Sequence, residues 1–148
     1  MSSVEELEVS KEPSINRILQ ECFSVTEDYN GQKIHFGISD LVSYLNIVPF
    51  SVEVDNVTYQ CGGLGAIATL PTFRKNGHAS MLIDHAICWM EDRKYDFVVL
   101  YGAPEFYGRF GFALVFEESQ MMVKILNSEI DKDIVFSNLG VWKNIPVF

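Results

Sequence analysis

The chain is poor in cysteine and in basic charge, and it has no long apolar run. Its three cysteines, Cys22, Cys61 and Cys88, cannot all pair within one chain, and their spacing fits no zinc pattern. That excludes a disulfide scaffold and leaves small buried thiols in a reducing compartment as the expectation. Eleven basic residues stand against 20 acidic ones, a formal net charge of -9. An acidic surface argues against general binding to nucleic acid or to anionic membranes. No stretch approaches the roughly 20 apolar residues of a membrane span. The acidic start, Met1-Ser-Ser-Val-Glu-Glu-Leu-Glu, lacks the apolar run of a signal peptide. A cytoplasmic protein is therefore expected. The histidines His35, His78 and His85 share no ligand spacing, so no metal site is expected. Repeats, low-complexity tracts and linkers are also missing, and residues 1–148 read as a single domain.

Apolar residues make up 48% of the chain and aromatics 13%, enough for a sizeable core. Val4 to Val9 alternates weakly and predicts a short first strand. Ile15, Ile18, Leu19, Cys22 and Phe23 fall at helical spacing after Pro13, predicting a helix over 14–23. Thr26 to Gln32 is polar, contains Asn30-Gly31, and reads as a turn. Phe50 to Asp55 alternates, with Asp55-Asn56 as a hairpin turn. Val57 to Leu70 reads as a central strand, in which Gly62, Gly63 and Gly65 predict a bulge or the close approach of another backbone.

Pro71 ends that strand. A polar loop leads into a helix over about 77–93 whose apolar stripe is Leu82, Ile83, Ala86, Ile87 and Met90. His85 falls on the opposite, solvent side. Asp96 to Tyr101 predicts a strand buried on both faces, and a short helix starts at Pro104. Ala113 to Phe116, Met121 to Leu126 and Asp133 to Phe136 read as further strands. A strand–helix–strand crossover in the middle implies a mixed α/β sheet with a parallel central pair.

The informative feature is the strand, polar loop and helix around Arg74-Lys75-Asn76-Gly77-His78-Ala79-Ser80. Amides in such a loop and first helical turn lack intrahelical partners and face the end of the helix dipole that favours anions. Gly77 offers backbone with no side chain in the way. Arg74 and Lys75 add positive charge to an acidic chain. These features predict a phosphate or pyrophosphate site. It is neither a Walker loop nor a dinucleotide fingerprint, because the glycine and lysine spacings differ.

Arg74-Lys75-Asn76-Gly77-His78-Ala79 resembles the Arg/Gln-x-x-Gly-x-Gly/Ala signature of the GNAT superfamily of N-acetyltransferases. Ala103-Pro-Glu-Phe-Tyr107-Gly-Arg-Phe-Gly111-Phe112 is similar to that family's later tyrosine helix and Gly-Phe. The wording of both segments is most similar to the Eis-like branch. The resemblance covers about residues 50–113. It implies a GNAT-like mixed sheet with a splayed parallel strand pair, flanked by helices, and acetyl-CoA as co-substrate. It implies that pantetheine bonds to Ile67, Ala68 and Thr69, and that the diphosphate lies on the amides of about Lys75 to Ser80. The reaction it implies is direct attack of a primary amine on the thioester, with Tyr107 as general acid. Arg109, Phe110 and Phe112 read as packing and helix-end residues.

Members of the family place a carboxylate base on the first central strand, where this chain has Cys61-Gly62-Gly63. The remaining base candidates are Glu53, Asp55, His35 and Glu105. Acceptor choice is expected from helices and loops over about residues 12–48, and the acceptor is a small amine or a peptide amine. The alternatives are a CoA-binding or regulatory module without turnover, and a structural domain with no CoA site. The apolar end, Val141 to Phe148, is expected to pack over the sheet or at a homodimer interface.

Overall fold

Seven strands form one mixed sheet among the described residues. They are β1 (Val4–Glu6), β2 (Ile34–Ile38), β3 (Ser43–Val54), β4 (Val57–Thr69), β5 (Phe97–Tyr101), β6 (Ala113–Phe116) and β7 (Met121–Ile125), in the spatial order β1-β2-β3-β4-β5-β7-β6. The helices are α1 (Glu12–Phe23), α2 (His78–Asp92), α3 (Pro104–Tyr107), α4 (Asp133–Ser137) and α5 (Leu139–Lys143). The structure is a computed structural model describing residues 3–25, 32–145 and 148. The turn predicted around Asn30-Gly31 lies outside the described residues. Contacts group the chain into two units, Met1–Val48 with Gly65–Ala86, and Pro49–Leu64 with Ile87–Phe148.

In the first unit, α1 starts at a proline in its first turn and ends at Ser24, whose φ of 56° breaks the helical path. Its buried residues Ile15, Ile18 and Leu19 pack with Leu7, Leu41, Tyr44 and Ala68. Each such side chain contributes roughly 1.5–3 kcal/mol by leaving water. β2 and the first half of β3 occupy a region expected to hold helices and loops. They pair antiparallel, with Phe36 opposite Leu45 and His35 opposite Asn46. His35 to Ile38 are all buried, so β2 lacks the alternation that marks a half-exposed strand.

In the second unit, Asp55 and Asn56 link β3 to β4, both with positive φ (51° and 65°), as a tight hairpin turn requires. β4 and β5 are parallel, pairing Cys61 with Phe97, Gly62 with Val98 and Gly63 with Val99. The pairing stops there, although β4 continues to Thr69 and β5 to Tyr101. Asp96 anchors the start of β5: its carboxylate accepts from the Gln60 amide at 2.9 Å and from Asn127 Nδ2 at 3.0 Å. Phe97 to Leu100 are buried, as a strand covered on both faces should be.

The glycines of β4 are approached by side chains rather than by another backbone. The Phe148 ring leaves no room for a Cβ on Gly63, and the Asn46 amide leaves none on Gly65. The strand predicted over 133–136 is instead helix α4. Asp131 Oδ1 accepts from the Asp133 amide at 3.0 Å and starts the turn, which overrides the β-branched composition. The apolar end packs over the sheet. Trp142 is fully buried in α5, edge-on to Phe97 at 5.1 Å, and Tyr101 Oη donates to the Ile145 carbonyl at 3.0 Å.

Trp142→Ala should therefore cost about 3–5 kcal/mol by urea denaturation, and truncation after Gly140 should cost at least as much. Phe136, 55% exposed in the adjacent helix, is the control. Its replacement by alanine should stay within about 0.5 kcal/mol.

Candidate active site

The loop between β4 and α2 begins with a 3₁₀ turn at Pro71–Phe73. Arg74 then folds back, donating from Nε to the Thr69 carbonyl at 2.9 Å. Its Nη2 lies 4.0 Å from Cys22 Sγ, which itself donates to the same Thr69 carbonyl at 3.4 Å. Arg74 thus ties the loop to the end of β4, a positioning role that its charge alone did not predict. Asn76 also turns inward, donating from Nδ2 to the Phe73 and Arg74 carbonyls at 3.1 and 3.4 Å.

Lys75 and Gly77 have φ of 65° and 79°. Glycine takes that region freely, whereas a lysine there costs about 1–2 kcal/mol. Such strain at a non-glycine residue marks a backbone path held for a purpose. No atom lies within 4 Å of the place a Cβ on Gly77 would occupy, so that side of the loop is open. The first amide of the helix with a partner is Met81, bonded to the Gly77 carbonyl at 3.0 Å. No described residue accepts from the amides of Lys75 to Ser80. Their donors remain available in the first turn of a long helix, where anions are favoured. His78 and Ser80 are half-buried, as is Ala79, and His78 Nδ1 is a sealed atom with no partner. The residues present therefore fit a diphosphate-bearing ligand.

Upstream, Ala68 is buried, while Ile67 and Thr69 are half-buried. Ser43 Oγ donates to the Ala68 carbonyl at 3.0 Å and lies 2.8 Å from Thr69 Oγ1. The Ala68 and Thr69 carbonyls thus already have protein donors. The first unit also buries a polar row. His35 Nδ1 bonds to Tyr44 Oη, and Asn46 Nδ2 donates to that oxygen at 3.3 Å. His35 is only 3% exposed. His85 is exposed on α2, with its ring edge-on to Phe36 at 4.8 Å.

In the second unit, Tyr107 ends α3 and packs edge-on to Phe106 at 4.9 Å. Gly102 is obligatory there, because the Tyr107 ring occupies the place of its Cβ. Burial raises the Tyr107 pKa above its ordinary value of 10.0, so the phenol keeps its proton to higher pH. Arg109 donates to the Phe106 carbonyl at 3.2 Å and stacks on the Phe106 ring, as a helix-end residue should. Cys61 is sealed, its thiol pushed up to about 12 first by burial and then by Asp96, so it is inert as a base. Glu53, Asp55 and Glu105 are exposed.

Residues 3–115 match the acetyltransferase (GNAT) domain, and the chain belongs to that family. No curated protein matches the chain. Among solved structures, a GNAT family N-acetyltransferase from Escherichia coli in complex with CoA has a TM-score of 0.71 at 20% identity, covering 90% of this chain and 84% of that one. A GNAT family acetyltransferase from Brucella melitensis in complex with acetyl-CoA has 0.70 at 14% identity, covering 88% and 92%. A probable N-acyltransferase from Enterococcus faecalis has 0.72 at 18% identity over 78% of this chain; the chain spans 33% of that protein. At these identities the likeness is one of fold. Among the described residues, no helix is long and apolar enough to cross a membrane, and no group of His, Cys, Asp or Glu is placed to hold a metal.

Gly77→Val should weaken CoA binding about tenfold or more by calorimetry, because a β-branched residue is strained at φ 79° and fills the open side of the loop. Arg74→Ala should weaken it less and lower the unfolding midpoint with no ligand present, as expected of a residue that fixes the loop.

Proposed function

We propose that this chain is an acetyl-CoA-dependent N-acetyltransferase of one domain that acetylates a primary amine, on a small molecule or a peptide, with a pattern most similar to the Eis-like branch. The observation that carries the reading is the run of unpartnered amides from Lys75 to Ser80, beside the open face of Gly77. A diphosphate supplies the acceptors those donors lack. Ile67, Ala68 and Thr69 would hold the pantetheine arm through their remaining amide and side-chain groups, since two of their carbonyls are in use. Arg74 would act by shaping the loop; Lys75, Asn76, Gly77, His78, Ala79 and Ser80 would line the diphosphate.

The amine attacks the thioester carbonyl, the C–S bond breaks, and the departing sulfur takes a proton from Tyr107. A phenol with a raised pKa is a weak acid but stays protonated across the working range. Desolvation of the thiolate makes that transfer favourable. An alkyl ammonium must lose a proton first, at about 4 kcal/mol for pH 7.4. With Cys61 inert, His35 sealed, and Glu53, Asp55 and Glu105 in solvent, this reading takes that proton out through water.

Tyr107→Phe should lower kcat by more than about tenfold while leaving CoA affinity nearly unchanged. Any fall in the wild-type rate caused by ionisation of Tyr107 should come above pH 10, because its pKa is raised, and should vanish in the phenylalanine variant. An unaltered kcat removes Tyr107 from the mechanism. The absence of a carboxylate at Cys61-Gly62-Gly63 favours a second reading, a CoA-binding module without turnover. Free-thiol release from acetyl-CoA over a panel of amines separates the two: CoA binding with no thiol release on any amine selects the module.

A further inference from the structure

A groove of about 250 Å³ lies in the second unit, beside the end of β5 and the β6–β7 turn. Its walls include Tyr101, Phe116, Met121 and Trp142, three aromatic rings and a thioether that suit a branched or aromatic side chain. It holds one carboxylate, Glu118, and one ammonium, Lys143. Both are exposed, and neither forms an ion pair with a described residue. Trp142 is fully buried, yet its Nε1–H has no acceptor. A buried donor without a partner is costly, and the penalty is removed when a ligand brings an acceptor. None of the residues assigned to CoA lines this groove.

An unpaired carboxylate and an unpaired ammonium on an apolar groove are complementary to a zwitterion with an apolar side chain. We propose that this groove binds a free apolar α-amino acid. Its ammonium pairs with Glu118, its carboxylate with Lys143, and its side chain lies among the aromatic walls. The Trp142 indole N–H donates to a carboxylate oxygen. A phosphorylated or polyanionic ligand would meet a single cation and an opposing carboxylate, which disfavours it. Wholly apolar ligands would leave both charges and the indole donor unmatched.

The chain has two tryptophans, so its ¹H–¹⁵N spectrum holds two indole signals, assigned by Trp89→Phe. Titration with L-leucine and with L-phenylalanine should shift the Trp142 signal saturably while Trp89 stays in place. N-acetyl-L-leucine and L-leucinamide, each lacking one charge, should bind about fivefold more weakly. Glu118→Gln should weaken L-leucine by the same factor and leave N-acetyl-L-leucine unchanged; Lys143→Met should do the same for L-leucine against L-leucinamide. Both variants replace exposed side chains, and their unfolding midpoints check that the fold is kept. Absence of a saturable Trp142 shift with either amino acid overturns the proposal, as does a shift that neither variant weakens. No CoA is needed in the titration, so its failure would leave the acetyltransferase reading standing.

Discussion

An α-helix cannot satisfy its own first amides, and at the start of α2 the protein does not satisfy them either. Side chains that commonly cap such a turn are here turned elsewhere. Asn76 donates back into the loop, and Arg74 is spent on the Thr69 carbonyl. The donors from Lys75 to Ser80 are left for something outside the chain. The left-handed Lys75, the open Gly77 and the half-buried His78 all follow from keeping that turn in one shape without filling it.

The frame that holds the turn is built from small hydrogen-bonded joints. Thr69 is the hinge of the first: its carbonyl takes Arg74 and Cys22, and its hydroxyl meets Ser43, so the end of β4, α1 and the loop share one anchor. Asp96 performs the corresponding task in the second unit, where it fixes the start of β5 against Gln60 and the chain after β7. The parallel pairing that follows lasts only to Gly63 and Val99, after which β4 takes no further partner from β5. A strand released in this way has free backbone donors, which is what an extended ligand arm needs.

Much of this was legible in the residues. The stripe Leu82, Ile83, Ala86, Ile87 and Met90 is buried throughout, the turn at Asp55-Asn56 is real, and β5 is covered on both faces. Local physics determined each: helical spacing, a two-residue turn, a short apolar run. The strand expected at 133–136 failed because Ile134, Val135 and Phe136 carry β propensity while one carboxylate, Asp131, starts a helical turn. β2 went unseen because burial on both faces removes the alternation that identifies a strand.

For the candidate site the division is similar. The sequence by itself determined which backbone carries the anion-binding turn, because glycine, positive charge and a following helix are local properties. It also determined that Tyr107 stands on a short helix opened by a proline. Only the tertiary structure decided that Arg74 is a strut, that His35 is sealed against Tyr44, that Cys61 is inert, and that Phe148 and Asn46 are why Gly63 and Gly65 have no side chains. Those outcomes depend on neighbours brought together from distant parts of the chain. Burial and hydrogen bonding between such neighbours leave no spacing or period in the sequence from which they can be read.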